Sequence, residues 1–375
     1  MAGFPLGHAA VDWGGGALWL LAPAISLAMG LSPAQVGLLF ALRQIGSGIA
    51  TIPAGIIGDS LARRGRFLLV TFWWVAIAQL IASGFSDYWL ICFFLTIGSA
   101  GAAAWHPIAM GTMIQKMPDR KAFALAIHTL GGNLAEILAP LLTGFLLVSF
   151  DWQEVLQMNT IPTVLMGLVF IKLTGMISHS TRIPFDKDQL IKICKALIRP
   201  SALLVLTMLL LHNTSLLVFM SMAPLYLQSI QGFSPDILGF SMSTFLLVGS
   251  ISSLIVGRSS DRIGRAPIAM VGLIGGGIGA ILLAISTNGL QAFSTLLITG
   301  FFMLSVRPVA IAMTLEQIDS SEITVLGLIS TFSEGIAAIG ALIGGMIANV
   351  SLGYAILFSA STSILSGLIL VRKNR

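Results

Sequence analysis

The sequence has little charge. Only 9% of its 375 residues are Asp, Glu, Lys or Arg, while 56% are hydrophobic. Soluble domains carry about 25% charged residues, so a fold wrapped in water on all sides is excluded. Cysteine is almost absent: Cys92 falls in an apolar run and Cys194 in a basic stretch, which excludes a disulfide framework. No basic segment precedes the first apolar run, which starts near Phe4 and is too long for a signal peptide core, so no cleavable leader is expected. The glycine runs Gly14-Gly15-Gly16 and Gly275-Gly276-Gly277 lie inside apolar stretches with no strand before them, which argues against phosphate loops. No nucleophile, base and orienting group stand at usable spacing, so neither an enzyme nor a bound cofactor is expected. The net charge of +5 is scattered between apolar runs rather than gathered in a patch, which fits a membrane surface and not nucleic acid.

What the chain has instead is apolar runs of membrane-spanning length. A span needs about 20 apolar residues. Twelve runs qualify: 4–29, 33–57, 67–85, 88–114, 122–148, 152–174, 200–226, 236–256, 267–286, 289–313, 323–348 and 351–371. Turn signals separate them, among them Ser32-Pro33, Ser86-Asp87, Ser234-Pro235 and Asn288-Gly289. The expected fold is an all-α membrane protein of twelve transmembrane helices in two six-helix bundles, 1–174 and 200–375. Residues 175–199 form a linker in which Leu190, Ile191, Cys194, Leu197 and Ile198 make the apolar face of a basic amphipathic helix.

Charge sets the orientation. Eighteen of the 20 Lys and Arg fall on one side, and the opposite loops carry acids such as Asp87, Asp151, Glu154 and Asp236. One turn on the basic side is acidic, with Glu316, Asp319 and Glu322, but acids contribute little to orientation. The positive-inside rule then places both termini in the cytoplasm of a cell with the chain in its cytoplasmic (inner) membrane.

The halves repeat with an offset near 200 residues. Asp59 answers to Asp261, His106-Pro107 to Arg307-Pro308, Pro23 to Pro224, and Asp12 to His212. Parallel six-span repeats are a transporter plan with the solute site near the midplane. Charges inside spans are functional candidates because an unpaired charge there costs several kcal/mol, about +2.5 to +3.5 on insertion scales. The intramembrane set is Asp12, Arg43, Glu136, Arg307, Glu334, His8, His106, His128 and His212.

The turn Gly257-x-x-x-Asp261-Arg262-x-Gly264-Arg265 closely resembles the charged turn of the major facilitator superfamily. The copy Gly55 to Arg66 departs from it, with five residues between Asp59 and Gly65 instead of two. Within that superfamily, His8-x-x-x-Asp12, His106-Pro107 and Gly131-Gly132-Asn133 with Pro140 are similar to the fosmidomycin-resistance-like branch. The resemblance implies a secondary transporter working by alternating access, moving a small organic solute, anionic ones included, outward in exchange for protons. It also implies that spans one, four, seven and ten line the central cavity. Asp12, His106 and Glu136 are the expected proton-coupling groups. His8, Arg307, His212 and Trp105 are the expected solute contacts. Arg43, Glu334, Asp59, Asp261, Arg262 and Arg265 are the expected gating groups. At about 1.5 Å per residue, Arg43 and Glu334 come to similar depth and are expected to pair in one access state. Import on the same residues is a second reading, and a metal or siderophore transporter with Asp12, His212, His8 and His106 as ligands is a third. The protein is expected to work as a monomer in the lipid bilayer.

Overall fold

The structure is a computed structural model that describes residues 3–61, 63–177, 191, 193, 195–317 and 322–371; the side chains at 59, 60, 118, 121, 122, 176 and 322–328 lie outside that description. Among the described residues it has twelve apolar helical spans. They are α1 Gly3–Met29, α2 Pro33–Gly58, α3 Arg64–Ser83, α4 Tyr88–Lys116, α5 Phe123–Leu146, α6 Trp152–Leu173, α7 Pro200–Ser229, α8 Pro235–Ile263, α9 Arg265–Ala284, α10 Gly289–Leu315, α11 Ile329–Ala348 and α12 Leu352–Ile369. Each coincides with one apolar run of the sequence, though α8 extends seven residues past its expected end, to Ile263. Large apolar side chains stay exposed along them, such as Ile49, Leu254 and Ile339. In hydrocarbon every backbone N–H and C=O must be satisfied within the segment, which is why such runs become helices.

The turns between spans use local chemistry twice. Gly30 and Gly232 both adopt positive φ, at 64° and 69°, two residues ahead of Ser32-Pro33 and three ahead of Pro235. Asp87 caps α4 by accepting from the Leu90 N–H, and Asn288 caps α10 by accepting from the Gln291 N–H. Two spans are interrupted. α6 breaks at Asn159-Thr160 and α10 at Leu304-Ser305, just before Arg307-Pro308. The sequence reading treated both as continuous.

The chain divides into two compact units, Met1–Ile25 with Leu42–Phe185, and Ser26–Ala41 with Asp186–Arg375. The first has a core of Phe4, Val11, Phe72, Val75, Trp105 and Phe170. In it, Asn159 at the α6 break accepts from the Trp13 indole N–H at 2.8 Å and lies 3.2 Å from the Thr143 hydroxyl, joining α1, α5 and α6. The second is fastened by serines of α12. Ser359 exchanges hydrogen bonds with Ser215 of α7, Ser363 donates to the Leu273 carbonyl of α9, and Ser366 donates to the Met208 carbonyl of α7. Lipid tails give apolar helices no reason to associate, so such bonds and close backbone contact hold the bundle. The run Gly275-Gly276-Gly277 provides the close contact, against Phe302 and Met303 of α10 and the Ala360 carbonyl of α12.

The amphipathic face expected at 175–199 lies largely outside the described residues, Leu190 and Cys194 included. Of the rest, Ile193, Ala196 and Leu197 are buried, while Ile191, Lys195, Ile198 and Arg199 are exposed.

Candidate functional site

The first unit gathers the polar residues of α1, α4 and α5 into one cluster. His8 and Asp12 stand one helical turn apart on α1 and so share a face. The Nε2 of His8 lies 3.0 Å from Oδ2 of Asp12, and the Nε2 of His106 on α4 lies 3.2 Å from Oδ1. The other nitrogen of His8, Nδ1, is 2.5 Å from the backbone carbonyl oxygen of His128 on α5. The His8 and His128 rings stack with centroids 4.0 Å apart, and the Trp105 ring lies parallel to His128 at 5.5 Å. His8 is buried, whereas the side chains of Asp12 and His106 remain 24% and 29% exposed. The cluster thus sets a buried imidazole beside a partly accessible carboxylate.

Glycine is what lets α5 come this close. A Cβ on Gly131 would overlap the Pro5 carbonyl oxygen, and one on Gly132 would sit 2.7 Å from the His8 imidazole. Backbone cannot yield as a side-chain tip can. Gly131→Ala is therefore expected to destabilise the fold by about 2–4 kcal/mol, in the range for overpacking and backbone displacement. A fall in the thermal unfolding midpoint of the purified protein, with no such fall for an alanine at the open position Gly175, is the check.

Other members of the expected set fall around this cluster. Arg43 of α2 reaches toward Gly15, its guanidinium 3.5 Å from where a Cβ would be, and is within electrostatic range of Asp12. The hydroxyl of Ser99 on α4 donates to the Arg43 carbonyl and ties α2 to α4. Glu136 is exposed on α5, with its Cα beside Gly16, and is within electrostatic range of His8. Trp105, expected among the solute contacts, is completely buried against Phe72 and the histidines; in this structure it is a wall of the cluster and offers no surface to a solute. The sequence placed His128 in the intramembrane set but gave it no role among the proton, solute or gating groups. Its carbonyl is the anchor of the cluster, a role that no side-chain pattern reveals.

The ring nitrogens of His8, His106 and His128 come within 4.8 Å of one another, close enough for one metal ion. The present hydrogen bonds compete with that use. Both nitrogens of His8 are already engaged, and stacked His8 and His128 rings point their in-plane lone pairs side by side instead of at a common point.

In the second unit, His212 is completely buried, and neither ring nitrogen has a hydrogen-bond partner among the described residues. Arg307, exposed at the start of the second half of α10, is within electrostatic range of it. A buried polar group without a partner is costly, and His212, expected among the solute contacts, is like Trp105 closed off from solute in this structure. Glu334 is half-buried on α11. Arg43 and Glu334 belong to different units, and their pairing stays a proposal.

At the charged turn between α8 and α9, Gly264 has φ +112°, a conformation L side chains rarely adopt, which explains its place in the pattern. Arg265 pairs with Asp261 at 3.4 Å and with Glu316 at the end of α10 at 2.5 Å, while Arg262 is exposed. Glu316 was read from sequence only as an exception to the charge bias; it is the acid that Arg265 holds. In the other copy, the Asp59 side chain lies outside the described residues. There Arg64 is buried and donates from Nε to the Gly58 carbonyl at 2.8 Å.

A family model described as Major Facilitator Superfamily matches residues 6–235 and 204–375 of the chain. A relative from Salmonella heidelberg (strain SL476), "Multidrug resistance protein MdtL", is 21% identical over 285 residues, covering 74% of this chain and 71% of its own. Among solved structures, the nucleoside transporter NupG superposes with a TM-score of 0.82 at 12% identity, covering 100% of this chain and 98% of its own. A bacterial homolog of the human lysosomal transporter Spinster, in an inward-facing and unoccupied conformation, gives a TM-score of 0.77 at 16% identity, covering 99% and 94%.

Proposed function

Since this chain belongs to the Major Facilitator Superfamily and is a multi-pass membrane transporter, not an enzyme, we propose that it exports a small organic solute in exchange for protons. The observation that carries the reading is the contact of Asp12 with His8 on its own helix and His106 on α4, inside a span and partly open. A carboxylate and histidines in that setting can take up and release a proton in the range a transport cycle uses. Asp12 carries the proton, His106 steadies its charge, and Glu136 is a second carrier on the same unit. Arg307 of the second unit receives the solute and suits an anionic group on it, and His212, buried in this structure, joins it when the site opens. The patterns shared with the fosmidomycin-resistance-like branch are these same cluster residues, and the relative named for multidrug resistance favours export. The chain sits in the cytoplasmic membrane with its basic loops and both termini inside.

The test uses the purified protein in liposomes with the pH dye pyranine trapped inside. Organic anions, phosphonates and lipophilic cations are added outside one at a time. Exchange predicts that a transported solute entering the liposome drives protons out of it, raising internal pH. Solute entry that lowers internal pH would mean import by symport. Net solute entry with no change of internal pH for any transported compound would overturn proton coupling.

A further inference from the structure

We infer that His8 and Asp12 together store one proton and that this proton fastens α1 to α5. The inference deepens the reading of the cluster as the proton carrier and rests on it. The argument is one of hydrogen-bond valence. A backbone carbonyl can only accept, so the Nδ1 of His8 must carry a hydrogen and donate it to the His128 oxygen. In a neutral imidazole the remaining nitrogen, Nε2, is then a bare lone pair. That lone pair faces a carboxylate oxygen of Asp12 at 3.0 Å. Two acceptors do not approach in this way unless a hydrogen lies between them. The geometry thus requires a second proton, either on Nε2 as an imidazolium–carboxylate pair or on Asp12 as a carboxylic acid. In both forms the pair carries no net charge.

The consequence is mechanical. When the proton leaves for water, the pair is a neutral histidine and an ionised carboxylate with net charge −1. One hydrogen remains on the imidazole for two acceptors on opposite sides of the ring. If it stays on Nδ1, the His128 carbonyl keeps its bond and Asp12 is repelled. If it moves to Nε2, Asp12 keeps its bond and the tie to α5 is lost. A second proton is therefore the condition for holding both contacts at once. The other charged or titratable groups facing the pair are His106 on α4, His128 and Glu136 on α5, and Arg43 on α2. His106 and Arg43 favour the ionised carboxylate, which makes Asp12 the partner that survives deprotonation and the α5 tie the one that breaks. The Gly131-Gly132 contact surface, which lets α5 approach, is where that release would be felt.

The experiment needs no transported solute, so its failure would leave transport itself standing, and a failure of proton-driven transport would leave the proton count standing. The full chain, with 15N-labelled histidine, is placed in lipid nanodiscs and its ring nitrogens are followed by NMR from about pH 5 to pH 9, around the free histidine value. There are five histidines, and single His→Gln variants assign them. Infrared spectra of the same samples, differenced against Asp12→Asn, report a protonated Asp12. The expected result is a Nδ1–H on His8 together with either a protonated Nε2 or a carboxylic-acid band from Asp12. Loss of that proton at higher pH should coincide with a switch of His8 from Nδ1–H to Nε2–H. In Asp12→Asn the amide supplies its own hydrogen to Nε2, so His8 should stay in the neutral Nδ1–H form across the range. A neutral Nδ1–H His8 facing an ionised Asp12 in the wild type would overturn the inference, as would a proton loss that leaves the tautomer unchanged. Zinc chloride moving the His8, His106 and His128 signals together would overturn it too, in favour of a metal centre.

Discussion

Asp12→Asn is expected to lower proton-driven solute flux by about a hundredfold or more, equivalent to about 2.7 kcal/mol of lost coupling. The amide keeps the size of the carboxylate and can still meet both histidines, so the fold should be unaffected. What it cannot do is change charge. His106, 3.2 Å away, and His8, 3.0 Å away, are placed to stabilise an anion that the variant never forms. A carrier without the titrating group should still bind solute and exchange it in counterflow, because that cycle needs no net proton movement. The measurement compares uptake under an imposed pH gradient with counterflow at equal pH, both in liposomes. Unchanged gradient-driven uptake in Asp12→Asn at every pH would sink the assignment of Asp12. Loss of both activities together would point to a structural role instead.

The fold was legible because span length and loop charge are long-range averages. Twelve runs of sufficient length leave the chain few alternatives, and an error of a few residues at each end changes none of them. The cluster was partly legible. Asp12, His8 and His106 stood out because charge and imidazole inside apolar spans are costly enough to need a reason. That Asp12, His8 and His106 act together was expected; the tie of His8 to α5 was not readable, since it depends on how closely α5 packs, and that is set by Gly131 and Gly132 meeting Pro5 and His8. Two structural elements left no usable sign. The His128 carbonyl is backbone and carries no residue identity. The breaks in α6 and α10 fall at Asn159-Thr160 and Leu304-Ser305, where polar side chains replace the missing helical bonds without interrupting the apolar run. Trp105 was misleading for a plain reason: a tryptophan beside polar residues reads equally as a ligand platform and as the packed wall it is here.

The charged turn after α2 yields the other large effect, and it separates three arginines that the sequence presents as equals. Arg63, Arg64 and Arg66 all contribute to the basic side that sets topology. Arg63 and Arg66 are exposed, but Arg64 is only 2% exposed, its guanidinium donating to the Gly58 carbonyl and lying beside Gly111 of α4. Gly58 itself packs against Ile108 of α4, so the Arg64 bond holds the end of α2 onto α4. Truncating Arg64 to alanine would empty a volume that cannot collapse easily and strand the Gly58 carbonyl. The expected loss is about 2–4 kcal/mol of stability, from the emptied volume and the stranded carbonyl together. Arg64→Lys should recover only part of it, because an ammonium cannot reproduce the planar fork of donors. Arg63→Ala and Arg66→Ala should each change stability by about 0.5 kcal/mol or less, as exposed side chains do. Thermal unfolding of the four variants in one detergent orders them, and equal shifts for Arg64→Ala and Arg66→Ala would show that burial of the guanidinium contributes nothing to holding α2 against α4.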